Sequence, residues 1–297
     1  PSFGVSAGRY KCFGCGAAGD VIEFVKEIEK LDFLGACQHL VGGMLHLGNK
    51  EEVQVRLSEI RQERQRKEQA AQQVALNRLA GMVDRVKWYQ RQLEAEEGAR
   101  EYWHGAGIAD ESIVRFRLGY APKCPLDPLT PSYVIPYFDA GALTNLRHIL
   151  ARPNGHGKYR PEFPGLTNQL FNTDVLAEID EVDFGLLDPD EIIIAEGEKK
   201  TMVLDQMGFR CVGLAGKNGW RSEWAGRFGR FKLAYVLLDP DATEQAWGVG
   251  RDLRLRSGSG LTVKVVELPH KVDDFFLRYG GDVGDFTNHL GWGRVIR

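Results

Sequence analysis

The sequence predicts an α/β protein in which a parallel sheet with covering helices follows a mixed α+β region. Between residues 189 and 280, short Ile/Val/Leu-rich runs at 192–195, 211–214, 233–238 and 261–266 alternate with segments of helical length. That alternation is the pattern of a parallel sheet. Three of these runs lead into acids: Glu196 in AEGEKK, Asp239 and Asp241 in LLDPDA, and Asp273 and Asp274 in LPHKVDD. Loops at the carboxyl ends of neighbouring parallel strands face one crevice, where ligands bind. Carboxylates gathered there repel one another unless a cation joins them. A hard ion such as Mg²⁺ accepts one or two, with waters and substrate phosphates completing its shell. The expected chemistry is that of phosphates handled with metal ions.

Five segments follow along the chain. Residues 1–45 hold YKCFGCGAAGD and then an amphipathic helical stretch at 21–40, opened by Asp20 and Glu23 at capping-box spacing. Residues 46–99 form a proline-free helical linker rich in Glu, Gln, Arg and Ala. Its middle, RQERQRKEQAAQQ, lacks large apolar residues and reads as solvated. Leu76, Leu79, Val83, Val86 and Leu93 then supply a stripe that packs on something. In residues 100–188, GIADESIVRFRLGYAP reads as a short helix turning into extended chain. SYVIPYFDAGALTNLRHIL reads as a hairpin turning at Asp139-Ala140-Gly141. The parallel-sheet region, 189–280, comes next, and the tail at 281–297 is either a docked helix or a loose end.

The chain has 297 residues, 43% hydrophobic and 27% charged, which is an ordinary globular composition. No uncharged apolar run approaches the roughly 20 residues of a membrane helix, and the first residues show no signal-peptide pattern. Five cysteines, three of them isolated (Cys37, Cys124, Cys211), make no disulfide framework, so a reducing cytoplasm is expected. The net charge of −3 gives no global sign of nucleic-acid binding. Locally, residues 146–171 hold Arg147, His148, Arg152, His156, Lys158 and Arg160 against the single acid Glu162. Opposed acidic and basic patches in one chain suit a polyanion bound through metal and basic groups together.

Each feature has a plainer reading. Strand-end acids also cap helices, and a basic hairpin also makes a solvated face. Lys217 in GLAGKNGW could meet a phosphate, while a tight strand-to-helix turn explains its glycines equally well.

Taken in order and spacing, AEGEKK, LLDPDA and LPHKVDD resemble the Toprim domain shared by primases, topoisomerases and some nucleases. FRLGYAP, YVIPYFDAGALTNLRHIL and GKYRPE look like the first half of the RNA polymerase domain of DnaG-type bacterial and phage primases. PSFGVSAGRYKCFGCGAAGDVIEF resembles the second half of their zinc-binding domain. The resemblance implies a Toprim sheet preceded by a mixed subdomain, a helical linker and a partial zinc ribbon. It further implies a primase, making short RNA primers on single-stranded DNA by metal-dependent nucleotidyl transfer.

Glu196, Asp239 and Asp241 would then be the catalytic and metal-binding acids, for Mg²⁺ or Mn²⁺, with Asp273 as an outer member. Arg147, Lys158, Tyr159, Arg160 and Lys217 would bind template and nucleotide. The implied partners are single-stranded DNA, ribonucleoside triphosphates and a replicative helicase that binds elsewhere than on this chain, at the replication fork in the cytoplasm. No membrane is involved.

Two departures qualify the resemblance. Where the family usually carries an aspartate four residues after the motif glutamate, this chain has Lys200. Structural zinc needs four ligands, and only Cys12 and Cys15 are supplied by the ribbon half, so zinc is expected only if the other half is provided. Cys37 and His39 are the alternative completing pair. The competing readings are a Toprim nuclease or topoisomerase-like enzyme, and a non-catalytic nucleic-acid-binding remnant of a phage or plasmid primase.

Overall fold

The computed structural model describes the chain except residues 1–2, 7, 13, 15–16, 41–49, 154–156, 164–165, 167, 178–185, 259 and 297. Cys15 and His156 therefore lie outside the described residues. The chain forms two compact units, residues 1–67 and 68–297.

The first unit holds strands β1 (Phe3–Ser6), β2 (Arg9–Cys12) and β3 (Ala18–Asp20), paired antiparallel in sequence order. Asp20 caps helix α1 (Val21–Glu29), its carboxylate accepting from the amides of Ile22 at 2.9 Å and Glu23 at 3.0 Å. That satisfies two of the donors a helix start leaves open. The reciprocal half of the capping box is not made: Glu23 turns to Lys26 instead, at 2.9 Å. The single amphipathic stretch expected at 21–40 is two helices. Lys30 adopts the left-handed conformation at φ 54°, and Asp32 then accepts the Gly35 amide at 2.7 Å to open α2 (Phe33–Leu40). Among the described residues of this unit, the side chains of Tyr10 (packed edge-on to Phe24), Val25 and Ala36 are buried. Helix α3 (Lys50–Ala80) runs through the boundary between the units.

In the second unit, helices α4 (Val83–Ala95), α5 (Glu97–His104) and α6 (Asp110–Arg115) precede an antiparallel sheet. Its order is β4 (Gly119–Ala121), β5 (Ser132–Asp139), β6 (Ala142–Leu150), β7 (Tyr159–Pro161). The β5–β6 hairpin closes over Ala140 and Gly141, at φ 49° and 77°, the two positive angles a tight hairpin turn of matching twist requires. The apolar stripe of the linker finds its partner here. Leu79 and Val86 pack with Val134 and Leu146, and Leu93 with Trp103 and Ile135, whereas Val83 stays 43% exposed. Helix α4 passes so close to β4 that a Cβ at Gly119 would lie 2.5 Å from that of Tyr89.

The other sheet orders β12-β11-β10-β8-β9. Strands β8 (Glu191–Glu196), β9 (Cys211–Leu214), β10 (Leu233–Leu237) and β11 (Thr262–Val265) run parallel, and β12 (Arg294–Val295) pairs antiparallel at the edge. Alternation along β8 separates two cores. Ile192 and Ile194 face α8 (Thr243–Arg256), while Ile193 and Ala195 face α7 (Glu198–Gln206), α9 (Val272–Leu277) and α10 (Val283–Gly291). Each fully buried isoleucine here stabilises the fold by about 1.5–3 kcal/mol. The tail is docked. Asp282 caps α10 by accepting the Asp285 amide at 2.8 Å, and Phe286 and Leu290 are buried.

Helix α7 joins the two sheets. Its Met202 enters the core beneath the hairpin, and its Gln206 accepts from the Ala109 amide and donates to the Gly107 carbonyl. Phe171 also bridges to Gly213 of β9. Among the described residues no helix is long and apolar enough to cross a membrane.

Candidate nucleotide-transfer site

The sheet order reverses at β8, since β9 lies on one side of it and β10 on the other. A crevice opens outside the carboxyl ends at such a switch point. Glu196 ends β8, and Asp239 lies two residues beyond the end of β10, so neighbouring strands bring both acids to that crevice. Glu196 Oε2 accepts the Asp239 amide at 3.2 Å. Burial, and then the charge of Asp239, hold the Glu196 carboxyl above its ordinary value. Gly197, at φ 89°, turns the chain sharply into α7, a conformation that favours glycine.

Asp239 is buried, with Lys200 Nζ 2.5 Å from Oδ1 and Lys271 Nζ 3.2 Å from Oδ2. Its hydrogen bond to Asp239 raises Lys271 above the usual lysine value. Asp241 sits in the short turn after β10 and meets Lys217 at 2.9 Å; that hydrogen bond holds Asp241 below the usual carboxylate range. Asp273 stands in the first turn of α9 with Oδ1 buried and without a hydrogen-bond partner. Asp274 pairs with Arg278 one turn on, an ordinary helix-surface contact.

The cleft, of about 330 Å³, runs from Glu196, Lys200 and Asp273 to Arg147, Tyr159 and Lys199. On the hairpin side Arg147 is ion-paired to Glu198, and Tyr137 Oη lies 2.5 Å from the same carboxylate. The Arg147 and Glu198 side chains are 12% and 5% exposed. The Arg147 guanidinium lies 5.5 Å from the centre of the Tyr159 ring. Burial, and then Glu198, push the Tyr159 hydroxyl up to about 12. Lys199 donates to Tyr102 Oη at 2.7 Å; burial, and then the charge of Lys158, bring Lys199 down to about 8.

The structure thus gathers Glu196, Asp273, Arg147 and Tyr159 around one cleft, with Asp239 beside Glu196. Lys158 is exposed near Lys199. Arg160 pairs in register with His148, on the face opposite Arg147 and Tyr159. His148 is not part of a basic surface. It is buried against Glu162 at 3.0 Å, and Tyr89 and Arg85 meet the same carboxylate at 3.1 and 3.0 Å. Lys217 spends its charge on Asp241. Sequence reasoning passed over Glu198, Tyr137 and Lys199. One signal was available: EGEKK puts two lysines in the first turn of α7, where the helix dipole disfavours cations unless acids lie opposite.

The donor types fit a hard divalent ion. Glu196 and Asp239 supply the one or two carboxylates such an ion takes, and the buried, unpartnered Asp273 Oδ1 is an acceptor that lacks a cation. The full expected cluster is not assembled, however. Among the described residues no three of His, Cys, Asp or Glu are grouped to hold a metal. Asp239 meets Lys200 and Lys271, and Asp241 meets Lys217. Nor do Cys12, at the end of β2, Cys37 and His39 come together as a zinc set.

Residues 1–56 match the CHC2 zinc finger family model. The chain is 36% identical to the DNA primase of Haemophilus influenzae over 125 residues, which are 41% of this chain and 20% of that one. It is 30% identical to the DNA primase of Synechococcus elongatus over 164 residues, 54% of this chain and 22% of the other. The matches thus span about a fifth of the length of these primases. In fold, the Aquifex aeolicus primase zinc-binding and RNA polymerase domains match all of this chain and 76% of theirs, with a TM-score of 0.58 at 22% identity. A DnaG primase catalytic domain bound to single-stranded DNA matches 76% of this chain and 83% of its own, also at 0.58, with 18% identity. Over these stretches of sequence, and in fold, the chain is similar to the DnaG-type primases.

Proposed function

We propose that this chain synthesises short RNA primers on single-stranded DNA, joining ribonucleotides in the cleft between the two sheets. The observation that carries this reading is the meeting of Glu196 and Asp239, at the switch point of the parallel sheet, with Arg147, Tyr159 and Lys199 on the opposite wall. One wall supplies carboxylates paired with lysines, and the other supplies an arginine held by Glu198, a lysine and an aromatic face. A nucleoside triphosphate and a nucleic-acid strand require both.

Nucleotidyl transfer is an in-line displacement at phosphorus in which positioning and charge neutralisation supply most of the catalysis. Glu196 and Asp239 would hold Mg²⁺ or Mn²⁺, with Asp273 as the outer acid; when bound, the ion activates the attacking oxygen and neutralises the leaving pyrophosphate. The remaining work falls to the chain's own groups. Glu198 and Tyr137 fix the Arg147 guanidinium, whose planar fork is suited to phosphate oxygens. Tyr159 offers a ring face to a base, and Lys199 and Lys158 supply positive charge to the strand, whereas Arg160 faces away from it. Zinc would join Cys12 and Cys15 together with further ligands from outside the segment 1–45, and a replicative helicase is the partner in the cell.

The test is label incorporation from ribonucleoside triphosphates on a single-stranded template. Asp239→Asn and Glu196→Gln should each abolish it while the circular dichroism spectrum is retained. Undiminished primer synthesis in either variant would remove the cleft from the chemistry.

A further inference from the structure

The reading of the cleft as a divalent-metal site leaves Lys200 unexplained. Its ammonium lies in the first turn of α7, where the helix dipole opposes positive charge. Even so, its side chain is only 12% exposed, against an Asp239 side chain that is 7% exposed. Burial of a charge is tolerated when it is paired, and the 2.5 Å contact to Asp239 Oδ1 supplies the pair. The other oxygen, Oδ2, meets Lys271, whose side chain is 52% exposed. The two ammoniums therefore differ in kind. Lys271 can swing into solvent and leave Oδ2 open, whereas Lys200, 12% exposed against 52%, is the more enclosed of the two.

We infer that Lys200 is a built-in cation of this site. It permanently occupies one side of Asp239, and the cleft takes one divalent ion, on the Glu196 and Oδ2 side, rather than two. The local charges agree with this. In and beside the cleft, Glu196, Glu198, Asp239, Asp241 and Asp273 stand against Arg147, Lys199, Lys200, Lys217 and Lys271, five acids to five bases. Displacing Lys271 leaves a deficit of one charge, which a single divalent ion more than meets. A second would stand beside a fixed ammonium on the same carboxylate. Lys200 is thus a positioning residue, acting through Asp239, and it determines how many metal ions the enzyme uses.

This inference rests on the cleft being the metal site, and the experiment separates the two ideas. Mn²⁺ alone is titrated into the full chain and counted by electron paramagnetic resonance, in wild type and in Lys200→Arg, Lys200→Met, Lys200→Asp and Asp239→Asn. The wild type should bind one Mn²⁺ in the cleft, weakened at least tenfold by Asp239→Asn. Lys200→Arg keeps the charge and should keep a count of one. Lys200→Met should tighten Mn²⁺ at least tenfold, and Lys200→Asp should raise the count to two.

If two ions bind the wild type and both are lost in Asp239→Asn, the metal site stands and the role of Lys200 is overturned. The same conclusion follows if Lys200→Met and Lys200→Asp change neither count nor affinity. If Asp239→Asn leaves Mn²⁺ binding unchanged, the metal site itself is misplaced and the inference falls with it.

Discussion

Beside the cleft, at the carboxyl end of β10, Asp239 and Asp241 meet Lys271 and Lys217, whose side chains are 52% and 40% exposed. On the hairpin wall, Arg147 and Glu198 are nearly buried and share a third partner in Tyr137. Exposed ion pairs contribute little stability and exchange readily. Buried ones fix geometry, and removing one partner strands the other. On the proposed function, the sheet wall would exchange lysines for a metal ion and phosphates, while the hairpin wall holds one arginine still. Lys200 is the exception on the sheet wall, since its side chain is only 12% exposed where its neighbours are open to solvent.

The largest contrast comes from one substitution on each wall. Asp239→Asn should reduce ribonucleotide incorporation by about 100-fold or more, the scale of losing a preorganised electrostatic group, with the urea midpoint little changed. Glu198→Gln should lower both, costing about 3–5 kcal/mol of stability because Arg147 loses its buried counter-charge. Equal stability losses in the two variants would erase the distinction between the walls.

A smaller effect concerns pH. Lys199, brought down to about 8 by burial, is charged below that value and neutral above it. Affinity for a single strand should fall severalfold between pH 7 and 9, and Lys199→Arg, charged throughout, should lack the fall. A wild-type affinity that stays flat across that range would remove Lys199 from the binding surface. Smaller still, Lys158→Ala should reduce the slope of log affinity against log salt by about 0.7, the single-strand value for one lost phosphate contact. An unchanged slope places Lys158 off the path of the strand. Least of all, Lys217→Ala should leave the melting temperature unchanged, as its contact with Asp241 is open to solvent; a clear drop there would contradict the exchangeable character of the sheet wall.

The parallel sheet was legible because its strands are short apolar runs, β8, β9 and β10 buried on both faces. Cys211–Leu214 is found at its expected bounds, and the other three strands within a residue or so. The hairpin was legible because the Ala140-Gly141 turn has its own chemistry. The break in the first amphipathic stretch was not, because the apolar spacing continues past Lys30 and only the left-handed angle and the Asp32 cap interrupt it.

At the site, Glu196 and Asp239 followed from strand ends, whereas the pairing of Arg147 with Glu198 is a tertiary contact across 51 residues that no local pattern encodes. His148 was misplaced for the same reason. A strand residue's charge says nothing of which face it occupies until the register with its neighbour is known.

The most direct test of the account gives the full chain a single-stranded DNA template, four ribonucleoside triphosphates with one labelled, and Mg²⁺ or Mn²⁺. Short labelled RNA complementary to the template, absent when Asp239→Asn replaces the wild type, is the result expected. Metal-dependent cleavage of the template strand without any incorporation would contradict it and assign the same cleft to strand scission.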